Sequence, residues 1–339
     1  MFIRALFSYL VPRPEIKWVG SCIFVVSIVY TFLISRLTVT PTPIDIIPTP
    51  DIKRAKRLRR IHQEFEARQR RIRKGPFPIA ELPPELTLQI LGHCAESQST
   101  VANLVLVSRR VQALTYEACL PGMAIRLVGE QQVESFDRFL LSKSHLLPYI
   151  HNLWVTPLQE KYYPAAIRIL KKCTNVRSLA VNGRLLKESV TSPYIGYRIQ
   201  HTHCRSLALL HTSSEGWASL FAPSAHQFLE QITHLRIVGD RIPVEFNFPL
   251  PNLRSFSYVL NRNVPNLAYG ERILKDKDGF PNLHTVVLTG ERRGKGRGAR
   301  ITKLKETKLF VFEVPAERTD MLMWCDNTHG KGFWQLCAK

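Results

Sequence analysis

The sequence predicts an α/β fold, and three observations predict it. A short pattern of an apolar residue, two variable ones and then apolar-x-apolar recurs through the C-terminal part, with helical stretches between the copies. A compact helical pattern fills residues 78–121. An uncharged apolar run at residues 18–35 is long enough to suggest a membrane helix. The expected order is therefore an N-terminal membrane helix, a small three-helix unit, and a strand–helix array.

Composition bounds the function. The chain has 339 residues and an ordinary apolar fraction of 45%, enough for a sizeable core. Its formal net charge of +20 is not ordinary, and it draws the chain toward acidic partners. The seven cysteines are odd in number and widely spaced, with no C-x-x-C pair, which argues against a disulfide framework or a zinc ribbon. No Asn-x-Ser/Thr sequon occurs.

Residues 1–17 form an N-terminal tail. The apolar run that follows lies between Lys17 and Arg36. As a helix it would reach about 27 Å, close to the hydrocarbon thickness of a bilayer. Trp18 and Tyr30 are suited to the interface. A cleaved signal peptide and a buried helix compete with a membrane anchor, but no small-x-small cleavage site follows the run. The cations Lys56, Arg57, Arg59 and Arg60 favour a membrane-anchored chain whose bulk faces the cytosol. Residues 36–50 are a Pro-rich spacer. Residues 51–74 are rich in helix formers and cations, with Leu58, Ile61, Phe65 and Ile72 at near-helical spacing. Such a basic helix suits anionic lipid or nucleic acid, or serves only as a solvated linker.

In residues 78–121, Pro83 and Pro84 precede a helical pattern of Leu86, Ile90 and Leu91, with Glu85 at the positive end of that helix. After a polar break, Val101, Leu104, Val105, Val107, Val111 and Leu114 mark a second amphipathic helix. Ser99 and Thr100 are its expected caps, and Tyr116–Leu120 a short third element. So short a unit needs a partner or a neighbouring domain to cover its apolar face.

Leu82-Pro83-x-Glu85-Leu86, then Ile90-Leu91, Leu104, Val107-Ser108-Arg109 and Leu114 resemble the F-box pattern. Val111 stands where many F-boxes place Trp, and Cys94 near a usual Leu. The resemblance implies binding to the Skp-type adaptor of an SCF ubiquitin ligase and, through it, to the cullin ligase core. Carried over, Leu82, Pro83, Leu86, Ile90, Leu91, Val107, Val111 and Leu114 would form the adaptor-binding surface.

Beyond it, Ile150-x-x-Leu153-x-Val155, Val176-x-x-Leu179-x-Val181 and Cys204-x-x-Leu207-x-Leu209 share one pattern. Ile232-x-x-Leu235-x-Ile237, Leu253-x-x-Phe256-x-Tyr258 and Leu283-x-x-Val286-x-Leu288 continue it, and Phe310-x-Phe312 is a weaker end copy. Spacings of 21–30 residues belong to solenoids, and the alternation marks a strand with one buried face. Val133–Lys143, Glu160–Lys172 and Gly216–Gln231 read as helices. Residues 122–339 thus resemble an irregular leucine-rich-repeat-like α/β solenoid, lacking the usual Asn after most strands; a plain α/β domain with one mixed sheet is the alternative. The ending around Trp324, Phe333 and Trp334 resembles that of basidiomycete fungal F-box-like proteins, and these aromatics are expected to cap an open edge. Residues 291–305 read as a mobile cationic loop.

Chemistry is hard to find. No H-E-x-x-H, G-x-S-x-G or Walker-type sequence is present. His201, His203 and Cys204 form a loose cluster, as do Cys325, His329 and Cys337, but neither has a paired partner cluster. No catalytic, cofactor or metal site is expected. The expected protein is a non-enzymatic ligase adaptor that binds an unidentified protein substrate, with its membrane contact through residues 18–35. An interaction scaffold without a ligase role is one alternative; a nucleic-acid-binding protein using its basic segments is a weaker one.

Overall fold

The computed structural model describes residues 59–64, 66, 82–191, 198–210, 220, 225–239, 249–259, 267–291, 299–304, 308–315 and 318–338. The chain divides into two units, residues 12–90 and residues 1–11 with 91–339. In the first unit, residues 59–64 are helical, within the expected basic helix. The helix α1 spans Pro84–Gly92.

The second unit continues with α2 (Gln98–Leu104), α3 (Arg109–Cys119), β1 (Ala124–Leu127), α4 (Glu130–Ser142), β2 (Asn152–Val155), α5 (Tyr163–Lys172) and β3 (Ser178–Asn182). Then come α6 (Gly183–Val190), β4 (Ser206–Leu210), α7 (His226–Glu230), β5 (His234–Val238), β6 (Ser255–Val259) and α8 (Leu267–Lys275). The chain ends with β7 (Thr285–Glu291), β8 (Arg300–Leu304), β9 (Leu309–Val314), α9 (Asp320–Thr328) and α10 (Phe333–Ala338).

All strands among the described residues join one nine-stranded sheet in the order β1-β2-β3-β4-β5-β6-β7-β9-β8. Every pair is parallel except β8 with β9. Each full copy of the pattern supplies one strand, and the copies stay in register: Leu153 lies beside Leu179, then Leu207, Leu235, Phe256 and Val286. These side chains, with Val155, Val181, Leu209, Ile237, Tyr258 and Leu288, are buried and build one layer of the core.

The solenoid expectation is corrected to the single mixed sheet. The connections are unequal, from the five-residue α7 to the thirteen-residue α4. The order also breaks at the end, where β9 enters between β7 and β8. Residues 300–304 of the expected basic loop are the edge strand β8, and residues 292–298 lie outside the described residues.

The second face of the sheet is buried too, contrary to the expectation of one buried face. Trp324 of α9 packs with Ala124, Trp154, Ala180, Ala208 and Leu210. Met323, Phe333 and Cys337 pack with Val287, Phe312 and Val314. The terminal aromatics therefore cover a face instead of capping an edge. Small residues at 180 and 208 let helices approach this side, and a mostly parallel sheet with both faces covered follows.

The membrane expectation is also corrected. Residues 18–35 lie outside the described residues. Among the described residues, no helix is long and apolar enough to cross a membrane. The longest described helix, α4, has 13 residues, carries acidic and basic side chains, and reaches only about 20 Å against a core of about 30 Å. A membrane-anchored, cytosol-facing placement of the chain is accordingly withdrawn.

Candidate adaptor-binding surface

Local capping builds the helical unit. Ser97 and Ser108 each adopt extended backbone and accept from the amide three residues on, Thr100 at 3.3 Å and Val111 at 3.2 Å. Each hydroxyl satisfies a donor that a helix start leaves open. The single helix expected from Val101 to Leu114 is therefore two, α2 and α3, and the separate element expected at Tyr116–Leu120 falls largely within α3. The cap falls at Ser97, not at Ser99 or Thr100, because Ser97 is the residue whose extended backbone aims its oxygen at the first turn.

Side chains fasten this part to the sheet. Gln98 Nε2 donates to the Ala124 carbonyl at 3.1 Å, and Arg126 donates to Gln98 Oε1 through Nε at 3.2 Å and Nη2 at 2.9 Å. Asn152 Nδ2 donates to the Pro121 carbonyl at 3.2 Å. Lys331 donates to Glu96, and this bond holds the Glu96 carboxyl below its ordinary range.

The expected surface residues divide between the two units. In residues 82–90, Pro83 is exposed, Leu86 is 47% exposed, and Leu82 and Ile90 are half-buried. In residues 91–119, Val107 is 55% exposed and Leu114 half-buried, whereas Leu91 and Val111 are buried at 1% and 9%. Leu91 and Val111 thus belong to the chain's own core. The structure adds Leu106, 49% exposed beside Val107 in the turn between α2 and α3. A Leu-Val pair directly before a Ser-Arg-Arg helix start was its sequence signal, because helical periodicity breaks there.

Nothing in this unit suggests covalent chemistry. Cys119 donates from Sγ to the Leu91 carbonyl at 3.0 Å, and burial, then neighbouring Cys94, pushes its thiol up to about 12. Burial also pushes up the Cys94 thiol. Such thiols are poor nucleophiles near neutrality.

The loose clusters resolve separately. His201 Nε2 lies 2.6 Å from the Leu170 carbonyl, so it carries the proton and donates it; His203 is exposed. Cys204 is fully buried, and burial pushes its thiol up to about 12. His329 Nε2 is buried without a partner in the described structure, and Cys337 is pushed up to about 11 by burial. Among the described residues, no three His, Cys, Asp or Glu side chains gather as metal ligands.

Compared with protein-family models and with curated proteins, the chain finds no match.

Proposed function

We propose that this chain is an F-box substrate-recognition adaptor of an SCF-type ubiquitin ligase. Residues 78–121 bind a Skp-type adaptor, and residues 122–339 hold a target protein. Ubiquitin transfer is then the work of the cullin ligase core, and this chain contributes by holding the target close.

One observation carries the reading. Leu106 and Val107 stand exposed in the turn that ends at the Ser108 cap, within the Val107-Ser108-Arg109 part of the F-box resemblance. Two adjacent large apolar side chains left in water at a helix start are suited to a partner. Exposed Leu86 in the Leu82-Pro83-x-Glu85-Leu86 part gives the same support within its own unit.

A scaffold with no ligase role is the second reading. It is favoured by the burial of Leu91 and Val111 in the chain's own core. A pull-down of the full chain with purified Skp-type adaptor separates the two, beside a Leu86→Asp, Val107→Asp double variant. Both substituted positions are exposed, so the variant retains the fold, checked by circular dichroism. The ligase reading expects binding by the parent and its loss in the variant. A well-folded parent that does not bind leaves the scaffold reading.

A further inference from the structure

The residue immediately before a strand is basic along most of the sheet. His151 precedes β2, Arg177 β3, Arg205 β4, Arg254 β6, His284 β7 and Lys308 β9. Only Thr233, before β5, interrupts the series. Backbone bonds link the successive positions: the amide of Arg177 donates to His151, Arg205 to Arg177, Thr233 to Arg205, Arg254 to Thr233 and His284 to Arg254, at 2.7–3.1 Å. These residues, of which Arg177, Arg205, Arg254 and Lys308 are cations at neutral pH, therefore form a file that lines the N-terminal edge of the parallel sheet, with Lys308 one residue further along, beside Thr285. Neighbouring strands lie about 4.8 Å apart, so the six steps from His151 to Lys308 cover roughly 29 Å.

The file is open and unbalanced. Arg177, Arg205, Arg254, His284 and Lys308 are exposed, and His151 is half-buried. Among the described residues, no salt bridge reaches any of these six. One N–H of Arg205 donates to the Gln231 carbonyl at 3.1 Å, which orders that side chain at the edge. The charges acting on the local histidines are all positive. Burial, then Arg177, holds His151 down; burial, then Lys308, Arg254 and Lys277, does the same to His284. Burial, then Arg254 and His284, acts on His234 in the same direction.

We propose that this edge binds an extended acidic peptide, a run rich in Asp and Glu on a partner protein. A line of four Arg and Lys cations matches a linear polyanion. The file holds no Phe, Tyr or Trp, and its two imidazoles, His151 and His284, stand five strands apart, so successive bases of a single-stranded nucleic acid would find no continuous stacking surface. A duplex presents two phosphate strands across a groove, and a single file matches only one. A polypeptide needs neither: at about 3.3 Å per residue, roughly nine extended residues span the file, with alternate side chains facing it. This site is distinct from the helical unit and does not depend on the ligase reading.

The test uses the full chain and a fluorescent peptide of alternating glutamate and serine, about nine residues long. The parent binds, and Arg177→Glu, Arg205→Glu, Arg254→Glu lowers affinity by at least about tenfold. Lys161→Glu, Lys187→Glu, Arg300→Glu makes the same change in net charge at exposed positions elsewhere, and shifts affinity less than about twofold. Circular dichroism verifies all three folds; if the reversed file variant melts early, the corresponding glutamine variant replaces it. Equal loss in both variants, or no binding by the parent, overturns the proposal. A file-dependent grip on single-stranded polyuridine or on phosphatidylserine vesicles, with none on the peptide, overturns the choice of ligand.

Discussion

Arg236, only 3% exposed in the middle of the sheet, donates through Nη2 to the carboxylate of Asp320 in the first turn of α9. Its guanidinium also lies 5.2 Å from the Phe333 ring centroid of α10. One strand residue thus holds both C-terminal helices by charge and by stacking. Breaking a buried pair strands a charge, at about 3–5 kcal/mol when both partners are dry. Asp320 keeps about a third of its side chain in water, so Asp320→Asn is expected to cost less, about 1–3 kcal/mol. Arg236→Met combined with Asp320→Asn removes the stranded charge and recovers part of that loss. Urea unfolding at constant m-value measures both; a double variant less stable than Asp320→Asn would refute this account.

Trp324 meets Trp154 edge-on, with ring centroids 5.6 Å apart and planes at 68°. Trp324→Ala is expected to destabilise by about 3–5 kcal/mol, through lost burial and a cavity over Ala180 and Ala208. The indole Nε1 is buried with no partner in the described structure. Trp324→Phe, which removes that donor along with some volume, should cost less than about 1.5 kcal/mol. Thermal unfolding of the two variants decides it.

His201 makes stability depend on pH. Burial pushes its pKa below the ordinary value, against the opposing pull of the Leu170 carbonyl, and His234 is shifted the same way, first by burial. The folded state holds these rings neutral, while the unfolded chain takes up protons near pH 6.5. As pH falls through about 6.5 the unfolded state binds more protons, so stability falls, by up to about 1.4 kcal/mol per pH unit for each histidine. Above that range the effect vanishes. The urea midpoint should drop between about pH 7.5 and about pH 5.5, and less steeply in His201→Gln, whose amide offers Leu170 a donor. An unchanged slope in the variant would assign the effect elsewhere.

Five of the six described cysteines should react in two classes. Cys119, Cys173 and Cys204 are buried, with thiols pushed up to about 12. Cys94 and Cys325 are half-buried, with smaller upward shifts from burial. Near pH 8 a thiol reagent should label Cys94 and Cys325 slowly and the other three only when urea unfolds the chain. Peptide mapping of labelled native protein reads the order; rapid native labelling of Cys204 would contradict the packing.

Much of the sheet was legible because a strand that buries alternate residues repeats them. Leu153-x-Val155, Leu179-x-Val181 and Leu207-x-Leu209 announce their strands and even their mutual register. The strand β1 escaped notice because Gly122 stands where the pattern needs its first apolar residue, and β8 because Arg300 and Lys303 read as loop. The intervening positions Trp154, Ala180, Ala208, Arg236 and Ser257 read as solvent-facing; each is buried. No local pattern reveals that, since what covers the first four comes from residues 320–338. In the candidate surface, the apolar pattern located the helices but ranked Leu86, Leu91, Val107 and Val111 alike. Burial separates them, and burial depends on what packs above each one.

By itself, then, the sequence determined where most of the strands lie, that they join through helices, and that the charge is strongly positive. Those properties follow from neighbours along the chain, through side-chain period and composition. Only the tertiary structure decided that the sheet is single and ends in an antiparallel pair, that its second face lies beneath the C-terminal helices, and that six basic residues scattered over more than 150 positions line one edge. Each of these depends on contacts between distant residues, and distance in sequence carries no signal of proximity until the chain has folded.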